Sequence, residues 1–243
     1  MTDTCSRPAV SVCLASFNGA RHIEAQLRSV LAQLHGQDEI IVSDDGSKDN
    51  TVALVEKIAD ARVRIIQNAL PRGIVKNFEN ALTQARHGYV FLCDQDDIWL
   101  PGKVDRCVQT LQHAMLVVTD CQVVDTRLQP LHPSFFSLRG SRPGIVPNLW
   151  KNGYLGCCMA FRSTLLKRAL PIPEKLPMHD MWLGLVAQTC GMVVFLPEIL
   201  SLYRRHSAAA SDAAGTSRAS RWKQLGFRVR LLQALGKRCV LGK

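Results

Sequence analysis

Carboxylates cluster at two places in this sequence where a strand-like run of residues ends. Asp94-Gln95-Asp96-Asp97 closes the apolar run Tyr89–Cys93. Two carboxylates separated by one residue in a turn can both reach one hard divalent cation such as Mg²⁺ or Mn²⁺, and three acids so close together repel one another without a cation. The motif therefore predicts a divalent-metal site, and the alternative is a capping cluster for the helix that begins near Pro101.

The second cluster, Asp44-Asp45-Gly46-Ser47, follows the run Glu39–Ser43. It is typical of a strand-to-helix turn in which Ser47 caps the helix, and an Asp at such a strand end can accept hydrogen bonds from a ribose or a nucleobase. The chain has neither G-x-G-x-x-G nor G-x-x-x-x-G-K-[ST]. A dinucleotide cofactor and ATP bound by a P-loop are therefore not indicated.

Trp99 lies directly after the acidic turn, in the apolar segment Ile98-Trp99-Leu100. A solvated turn has little use for a tryptophan, so its position predicts a flat wall beside a sugar ring. The alternative is that Trp99 is a core residue.

The elements that must position these residues alternate between apolar runs and segments of helical period. The pattern from Val10 to Cys93 predicts strands and helices in turn, and the strand runs are apolar throughout rather than alternating. Such runs indicate an α/β fold with a mostly parallel sheet covered by helices on both faces. Leu155–Phe161, Met178–Cys190 and Met192–Tyr203 are predicted as a strand, a helix and a strand that complete the same sheet.

Composition and charge exclude several classes of protein. The 243 residues are 47% hydrophobic and 21% charged, which is typical of a globular chain. The net charge is +10, but residues 204–243 hold ten Lys/Arg against the single acid Asp212 and so carry +9 of it. A nucleic-acid-binding body is therefore not indicated. The nine cysteines form no C-x-x-C pair, so neither disulfides nor zinc are expected.

Three motifs, in their order, resemble family-2 glycosyltransferases. They are Val10–Gly19, Asp44–Ser47 and Cys93–Leu100, and the resemblance continues through Gly156–Phe161, Met178–Trp182 and Tyr203–His206. It covers roughly residues 8–207 and is closest to the bacterial rhamnosyltransferase-like branch. The resemblance implies a GT-A-type, Rossmann-like fold, a nucleoside-diphosphate sugar donor, a divalent metal (Mg²⁺ or Mn²⁺) and transfer with inversion.

The same resemblance assigns the donor side of the site. Ala15, Phe17 and Asn18 would border the nucleobase and ribose, and Asp45, with Asp44, would hydrogen-bond them. The family often has Thr at position 15, so any contact by Ala15 must come from its backbone. Two further donor-side contacts fall in a helical segment, where the alternative is surface residues of an amphipathic helix: Lys76 and Asn77.

The resemblance also assigns the metal and the base. Asp96 would be the main metal ligand, with Asp94 assisting it or holding the ribose, and His206 beside Arg204 would approach the metal and the diphosphate.

Asp180 matches the catalytic base, which takes the proton of the acceptor hydroxyl. Its alternative is a carboxylate favoured by a helix N-terminus. His179 is expected to be structural.

The predicted organisation is one GT-A domain followed by a basic tail. Residues 1–207 would form the domain, with a nucleotide-sugar half (1–115) and an acceptor and catalytic-base half (116–207), and residues 208–243 would form a linker and a basic amphipathic helix. Trp222, Leu225, Val229 and Leu232 recur at helical spacing, with Lys223, Arg230 and Lys237 on a neighbouring face. This pattern predicts attachment to an anionic membrane, and the alternative is a helix docked on the protein core.

The function expected from the sequence is an inverting, metal-dependent glycosyltransferase. It would move a sugar onto a surface-polysaccharide or lipid-linked glycan acceptor, and the branch resemblance implies rhamnose from a dTDP donor. The alternative is a catalytically silent nucleotide-sugar-binding scaffold. No secretory signal and no membrane span are predicted, so the expected location is the cytoplasm, at the cytoplasmic face of the membrane.

Overall fold

A computed structural model describes residues 7–174, 176, 178–205 and 221–241 of the chain. The strands of this part form one nine-stranded sheet. They are β1 (Val10–Ser16), β2 (Glu39–Asp44), β3 (Val63–Gln67), β4 (Tyr89–Asp94), β5 (Ile98–Trp99), β6 (Leu116–Val124), β7 (Pro130–His132), β8 (Met159–Arg162) and β9 (Val193–Arg204). The helices are α1 (Ile23–Leu31), α2 (Thr51–Lys57), α3 (Ile74–Leu82), α4 (Lys103–Leu111), α5 (Phe135–Arg139), α6 (Ile145–Trp150), α7 (Leu166–Ala169), α8 (His179–Cys190) and α9 (Arg221–Leu241).

The strand order is β3-β2-β1-β4-β8-β6-β9-β5, with β7 on β6. β3, β2, β1 and β4 are mutually parallel. Successive residues of β1 enter different cores, since Cys13 belongs to one hydrophobic cluster and Val12 and Leu14 belong to the other. Both faces are therefore covered, which explains why these runs are apolar throughout. The predicted α/β fold is confirmed.

The second half of the chain extends the same sheet, as predicted. β8 pairs antiparallel with both β4 and β6, and β6 pairs parallel with β9. The predicted strand Leu155–Phe161 is only partly a strand, because Gly156–Cys158 is a 3₁₀ turn and β8 begins at Met159. This turn brings Cys157 to the acidic end of β4.

The C-terminal helix docks on the body of the protein. Leu231 and Leu235 of α9 are buried in the core cluster that also contains α8 residues. Val229 and Leu232, from the predicted apolar stripe, stay 45% and 49% exposed. The docked-helix alternative is thus correct for one face of α9 and leaves another apolar face open. The side chains of Trp222 and Leu225, and the predicted linker 208–220, lie outside the described residues.

The cysteines behave as small apolar residues. The seven cysteines whose side chains the structure describes are all free thiols, and six of them are buried: Cys13, Cys93, Cys107, Cys121, Cys157 and Cys158. The absence of disulfides that the sequence predicts holds for this part of the chain. Across the same residues no helix combines the length and the apolar character needed to cross a bilayer.

Candidate active site

The loops after β1, β2 and β4 meet at one edge of the sheet, as the motif positions predict. The Gln95 side chain accepts a bond from Phe17 N at 2.9 Å and donates to Phe17 O at 3.0 Å. Asn18 N donates to Ser47 Oγ at 2.8 Å, and Lys48 N donates to Asn18 Oδ1 at 2.8 Å. The three loops are therefore joined by hydrogen bonds across 29 to 78 positions of sequence.

The three residues expected to border the nucleobase differ in what they present. The Phe17 side chain is 46% exposed and offers an open ring. Asn18 adopts a left-handed backbone conformation (φ 48°), and its carboxamide oxygen is already bonded within the loop cluster. Ala15 lies inside the sheet, and its methyl group packs in the core. Phe17 is therefore the member of this group with a surface free for a flat ligand.

The two aspartates after β2 have different roles in the loop. Asp44 accepts four hydrogen bonds, from Ser16 Oγ, Ser47 Oγ, Ser47 N and Gly46 N, which uses the whole accepting capacity of a carboxylate. Asp45 accepts one bond at each oxygen, from Asn68 Nδ2 at 2.6 Å and Gly73 N at 2.9 Å. Asp44 is thus a structural residue of the turn, which corrects its expected ligand contact, while Asp45 keeps accepting capacity for a ligand.

Lys76 and Asn77 are tied into the protein by their side chains. Asn77 is buried on α3 and donates from Nδ2 to Ser16 O at 3.0 Å, so the surface alternative is wrong for this residue. Its Oδ1 has no hydrogen-bond partner among the described residues. Lys76 Nζ pairs with Glu79 at 2.8 Å and donates to Ile172 O at 3.3 Å. Asn77 therefore fixes the end of β1, where the loop that contains Phe17 and Asn18 begins.

The acidic turn after β4 contains a tight group of metal-ligating atoms. One ligand atom each from Asp94, Asp97 and Cys157 lies within 4.8 Å of the others. Burial and the charge of Asp96 raise the pKa of Asp97 to about 8, and burial and the neighbouring carboxylates raise the pKa of Asp94. The Asp97 Oδ2 atom is buried with no partner among the described residues. Closely spaced carboxylates that resist ionisation, one of them with an unpartnered buried oxygen, fit a divalent cation.

Two residues expected to contact substrate are structural instead. Arg204 is buried, and its guanidinium donates to Asp96 O at 2.7 Å and Thr126 O at 2.8 Å. It therefore stabilises the backbone of the acidic turn. Trp99 is only 3% exposed and packs against Phe91 with ring centroids 5.6 Å apart. No face of Trp99 is left for a sugar, so the core alternative is correct. His206 lies outside the described residues.

Asp180 lies in the first turn of α8, beside the Gly156 turn that precedes Cys157. It accepts a bond from Met181 N at 2.6 Å, and Asn152 Nδ2 lies 3.5 Å from both of its oxygens. Burial raises its pKa to about 6, although these two donors and the charge of Arg139 oppose the rise. The charge of Asp180 in turn contributes to raising the pKa of Asp94. A candidate base and a candidate metal cluster therefore interact electrostatically.

The model of the family described as Glycosyl transferase family 2 matches residues 11–170. The chain belongs to this family. That stretch contains the loops after β1 and β2 and the acidic turn, and it ends before Asp180.

Individual relatives agree with this family. An Escherichia coli protein named UDP-Glc:alpha-D-GlcNAc-diphosphoundecaprenol beta-1,3-glucosyltransferase WfgD is 25% identical over 224 residues, which are 89% of this chain and 85% of that protein. The structure of Staphylococcus aureus TarS 1-349 in complex with UDP-GlcNAc has a TM-score of 0.70 at 20% identity. The match covers 92% of this chain but 66% of the TarS chain, slightly under two thirds.

A third relative also has the same fold. Glucosyl-3-phosphoglycerate synthase from Mycobacterium tuberculosis, solved with Mn²⁺, UDP and phosphoglyceric acid, has a TM-score of 0.60 at 21% identity, over 96% of this chain and 78% of that chain. These structural likenesses confirm the GT-A-type fold expected for a family-2 chain.

His179 is a packing residue next to Asp180 in this family-2 chain. Its ring stacks on Phe78 with centroids 4.2 Å apart, and burial lowers its pKa to about 4, so it is neutral at pH 7. A Cβ at Gly156 would lie 2.9 Å from His179 Nε2. Only glycine therefore lets the turn before β8 approach this ring, and the geometry supports the structural role expected for His179.

The sequence does not predict three residues that the structure places at the candidate site of this family-2 chain. Asp97 was one acid among three in the turn, Cys157 lay in an apolar run with no ligand signal, and Asn152 carried no motif. The adjacency of Asp97 to Asp96 was the one available signal. The other two reach the site only because β8 and α8 fold back onto β4.

Proposed function

We propose that this chain is an inverting glycosyltransferase that moves a sugar from a nucleoside-diphosphate donor to a lipid-linked glycan acceptor. Residues 1–115 would bind the donor, and residues 116–207 would supply the base and bind the acceptor. The observation that carries the proposal is geometric: Asp180 lies beside the Gly156 turn, since a Cβ at Gly156 would be 3.8 Å from Asp180 Cβ, and the next residue, Cys157, groups with Asp94 and Asp97. The substrate classes are supported by WfgD, which is named for a diphosphoundecaprenol-linked acceptor, and by TarS, which was solved with UDP-GlcNAc.

The proposed reaction is a direct displacement at the anomeric carbon. The acceptor oxygen forms the new glycosidic bond while the bond to the donor diphosphate breaks, and the diphosphate leaves with the electron pair. Asp180 takes the proton from the attacking hydroxyl. Because attack and departure occur on opposite sides of the carbon, the configuration inverts. A carboxylate whose pKa is raised to about 6 is a stronger base than an ordinary Asp, yet it is still ionised at pH 7.

The donor diphosphate would lie at the acidic turn. Asp96 and Asp94 would hold Mg²⁺ or Mn²⁺, with Asp97 and Cys157 next to them, and the unpaired Asp97 Oδ2 and the raised pKa values fit such a cation. A bound cation would neutralise the charge that develops on the leaving diphosphate. Arg204 holds the turn in place through Asp96 O. His206 remains a predicted contact to the metal and diphosphate.

The donor sugar is the finer part of the proposal. The motifs resemble the rhamnosyltransferase-like branch, which favours dTDP-rhamnose, whereas WfgD is named for UDP-glucose. Hydrolysis of a donor panel (dTDP-rhamnose, UDP-glucose, UDP-GlcNAc and GDP-mannose) with Mn²⁺, followed by mass spectrometry, identifies the donor. Binding of a donor by calorimetry without hydrolysis or transfer would favour the silent scaffold instead.

The raised pKa of Asp180 predicts the pH dependence of transfer. At saturating donor, kcat should rise with pH through about 6 and fall about tenfold per unit below it, because only the ionised carboxylate can take the proton. The Asn152 amide favours the ionised form, so Asn152→Ala should move this limb to higher pH. Circular dichroism at each pH checks that the protein stays folded. A flat profile between pH 5 and 8 would contradict Asp180 as the base.

A further inference from the structure

An apolar groove of about 610 Å³ lies between α6 and α9. Two side chains from α6 are among the most exposed large apolar residues of the described chain, since Val146 and Trp150 are each 77% exposed. Val229 and Leu232 of α9 line the groove from the other side. Four exposed apolar side chains in one groove form the kind of patch that marks a contact surface.

The charges around this groove have a single sign. Its lining contains three cations and no acid, and α9 itself contains no Asp or Glu from residue 221 to 241. One of these cations is fixed in place, because the Arg228 guanidinium lies 4.6 Å from the Trp150 ring centroid and donates to Leu149 O and Trp150 O. The other two are Arg142 and Lys151. The groove is thus an apolar surface with a positive rim.

The groove belongs to the surface of the folded body, because α9 is packed against that body. α9 is anchored through Leu231 and Leu235, which are buried in the main core. Arg238 adds a bond to Pro171 O at 2.7 Å. The exposed face of α9 is therefore held next to α6.

The groove also lies close in the chain to the candidate base. α6 ends at Trp150, and Asn152, two residues later, contacts Asp180. Arg139, the last residue of α5, donates to Asn152 O at 2.9 Å. A molecule held at the groove would therefore be next to the segment that positions the base.

We propose that the α6–α9 groove is the surface by which this protein docks on an anionic phospholipid bilayer. Trp150, Val146 and Leu232 would enter the interfacial layer, and the cationic rim would meet the lipid headgroups. Tryptophan favours this layer, and each nearby Lys or Arg adds to the attraction to an anionic surface. The sequence pattern assigned membrane contact to the C-terminal helix alone, whereas the structure adds α6 of the catalytic half.

The charge of the rim is the reason for choosing a bilayer as the occupant. If two copies met through the same groove, they would bring two sets of cations together without an acid in the lining to pair with them. An anionic lipid surface neutralises the rim and covers the apolar side chains at once. The benefit to catalysis rests on the proposed function, since docking here would bring a lipid-linked acceptor next to Asp180.

Vesicle co-sedimentation of the full chain tests the proposal. At 50 mM NaCl the protein should bind vesicles of phosphatidylcholine and phosphatidylglycerol (3:1), and it should bind pure phosphatidylcholine much more weakly. Trp150→Ser with Leu232→Ser should lower the partition coefficient at least about tenfold, because both side chains are exposed and apolar. Leu131→Ser, at an exposed leucine on β7 away from the groove lining, is the matched control and should bind like wild type.

Several outcomes would overturn the proposal. One is that the wild type does not bind anionic vesicles, and another is that the double variant binds them as well as the wild type does. A third contradicting outcome is a wild-type dimer in analytical ultracentrifugation that the double variant does not form, because that result would assign the groove to a second copy. Metal-dependent donor hydrolysis is measured for all variants and should not change, since these residues lie outside the donor site. If only the double variant loses vesicle binding, and neither the wild type nor any variant hydrolyses a donor, the docking surface is upheld and the proposed transferase function is contradicted.

Discussion

Asp180→Asn should lower kcat for glycosyl transfer by about 10²-fold or more while leaving donor affinity nearly unchanged. Asparagine keeps the shape of the side chain and can still accept the Met181 N–H bond, but it cannot take the proton of the acceptor hydroxyl. Removing an interaction made only in the transition state lowers kcat and kcat/KM together. Single-turnover transfer assays measure the first effect, and calorimetry with the UDP or dTDP form of the donor measures the second.

The matched control for this variant is Asp105→Asn. Asp105 also lies in the first turn of a helix, but its side chain is 72% exposed and pairs only at the surface with Arg7. It should retain wild-type transfer. An equal loss of donor affinity and rate in Asp180→Asn would make Asp180 a binding or structural residue, and wild-type transfer by that variant would remove it from the mechanism.

The second large effect concerns the acidic turn. Asp96→Asn should abolish turnover, and EDTA should do the same to the wild type, because the donor diphosphate would lack its neutralising charge. The fold should survive, since Asp96 lies on a turn whose backbone Arg204 holds through a carbonyl oxygen. Full activity after EDTA treatment would contradict the metal requirement.

Thermal unfolding gives a readout of the same site that does not depend on activity. Mn²⁺ should raise the Tm of the wild type, because it relieves the repulsion among carboxylates whose pKa values burial and mutual charge have raised. The shift should be much smaller in Asp94→Asn. Asp105→Asn again serves as the control and should respond to Mn²⁺ as the wild type does.

The elements that the sequence predicted well are those with local causes. A fully apolar run such as Val10–Ala15 requires cover on both faces, so the parallel core of the sheet follows from composition. The meeting of the loops after β1, β2 and β4 follows from that sheet, because the carboxyl ends of parallel strands share an edge. Asp180 at the start of α8 was likewise predicted from its motif.

The misplaced residues depend on contacts between distant parts of the chain. Trp99 is buried because β5 pairs with β9, about a hundred positions later, where Trp99 lies opposite Ser201. Arg204 reaches Asp96 and Asp97 across more than 100 positions. Local sequence gives no information about which distant strand will cover a side chain. The sequence therefore predicts a substrate contact for Arg204, which the fold buries, and leaves the core position of Trp99 as an alternative to a sugar contact.

The double hydrogen bond between the Gln95 side chain and the Phe17 backbone joins the acidic turn to the loop after β1. Gln95 lies between the acids expected to hold the cation, and Phe17 carries the open ring where a nucleobase is expected. If the cation shifts the acidic turn, these two bonds would carry the shift to the loop after β1, and a nucleotide bound at that loop would act on the turn in the same way. By linkage, the factor by which Mn²⁺ tightens nucleotide binding must equal the factor by which the nucleotide tightens Mn²⁺ binding. Such an enzyme would bind either ligand with low affinity alone and both with higher affinity together. Loss of one ligand after transfer would lower the affinity for the other.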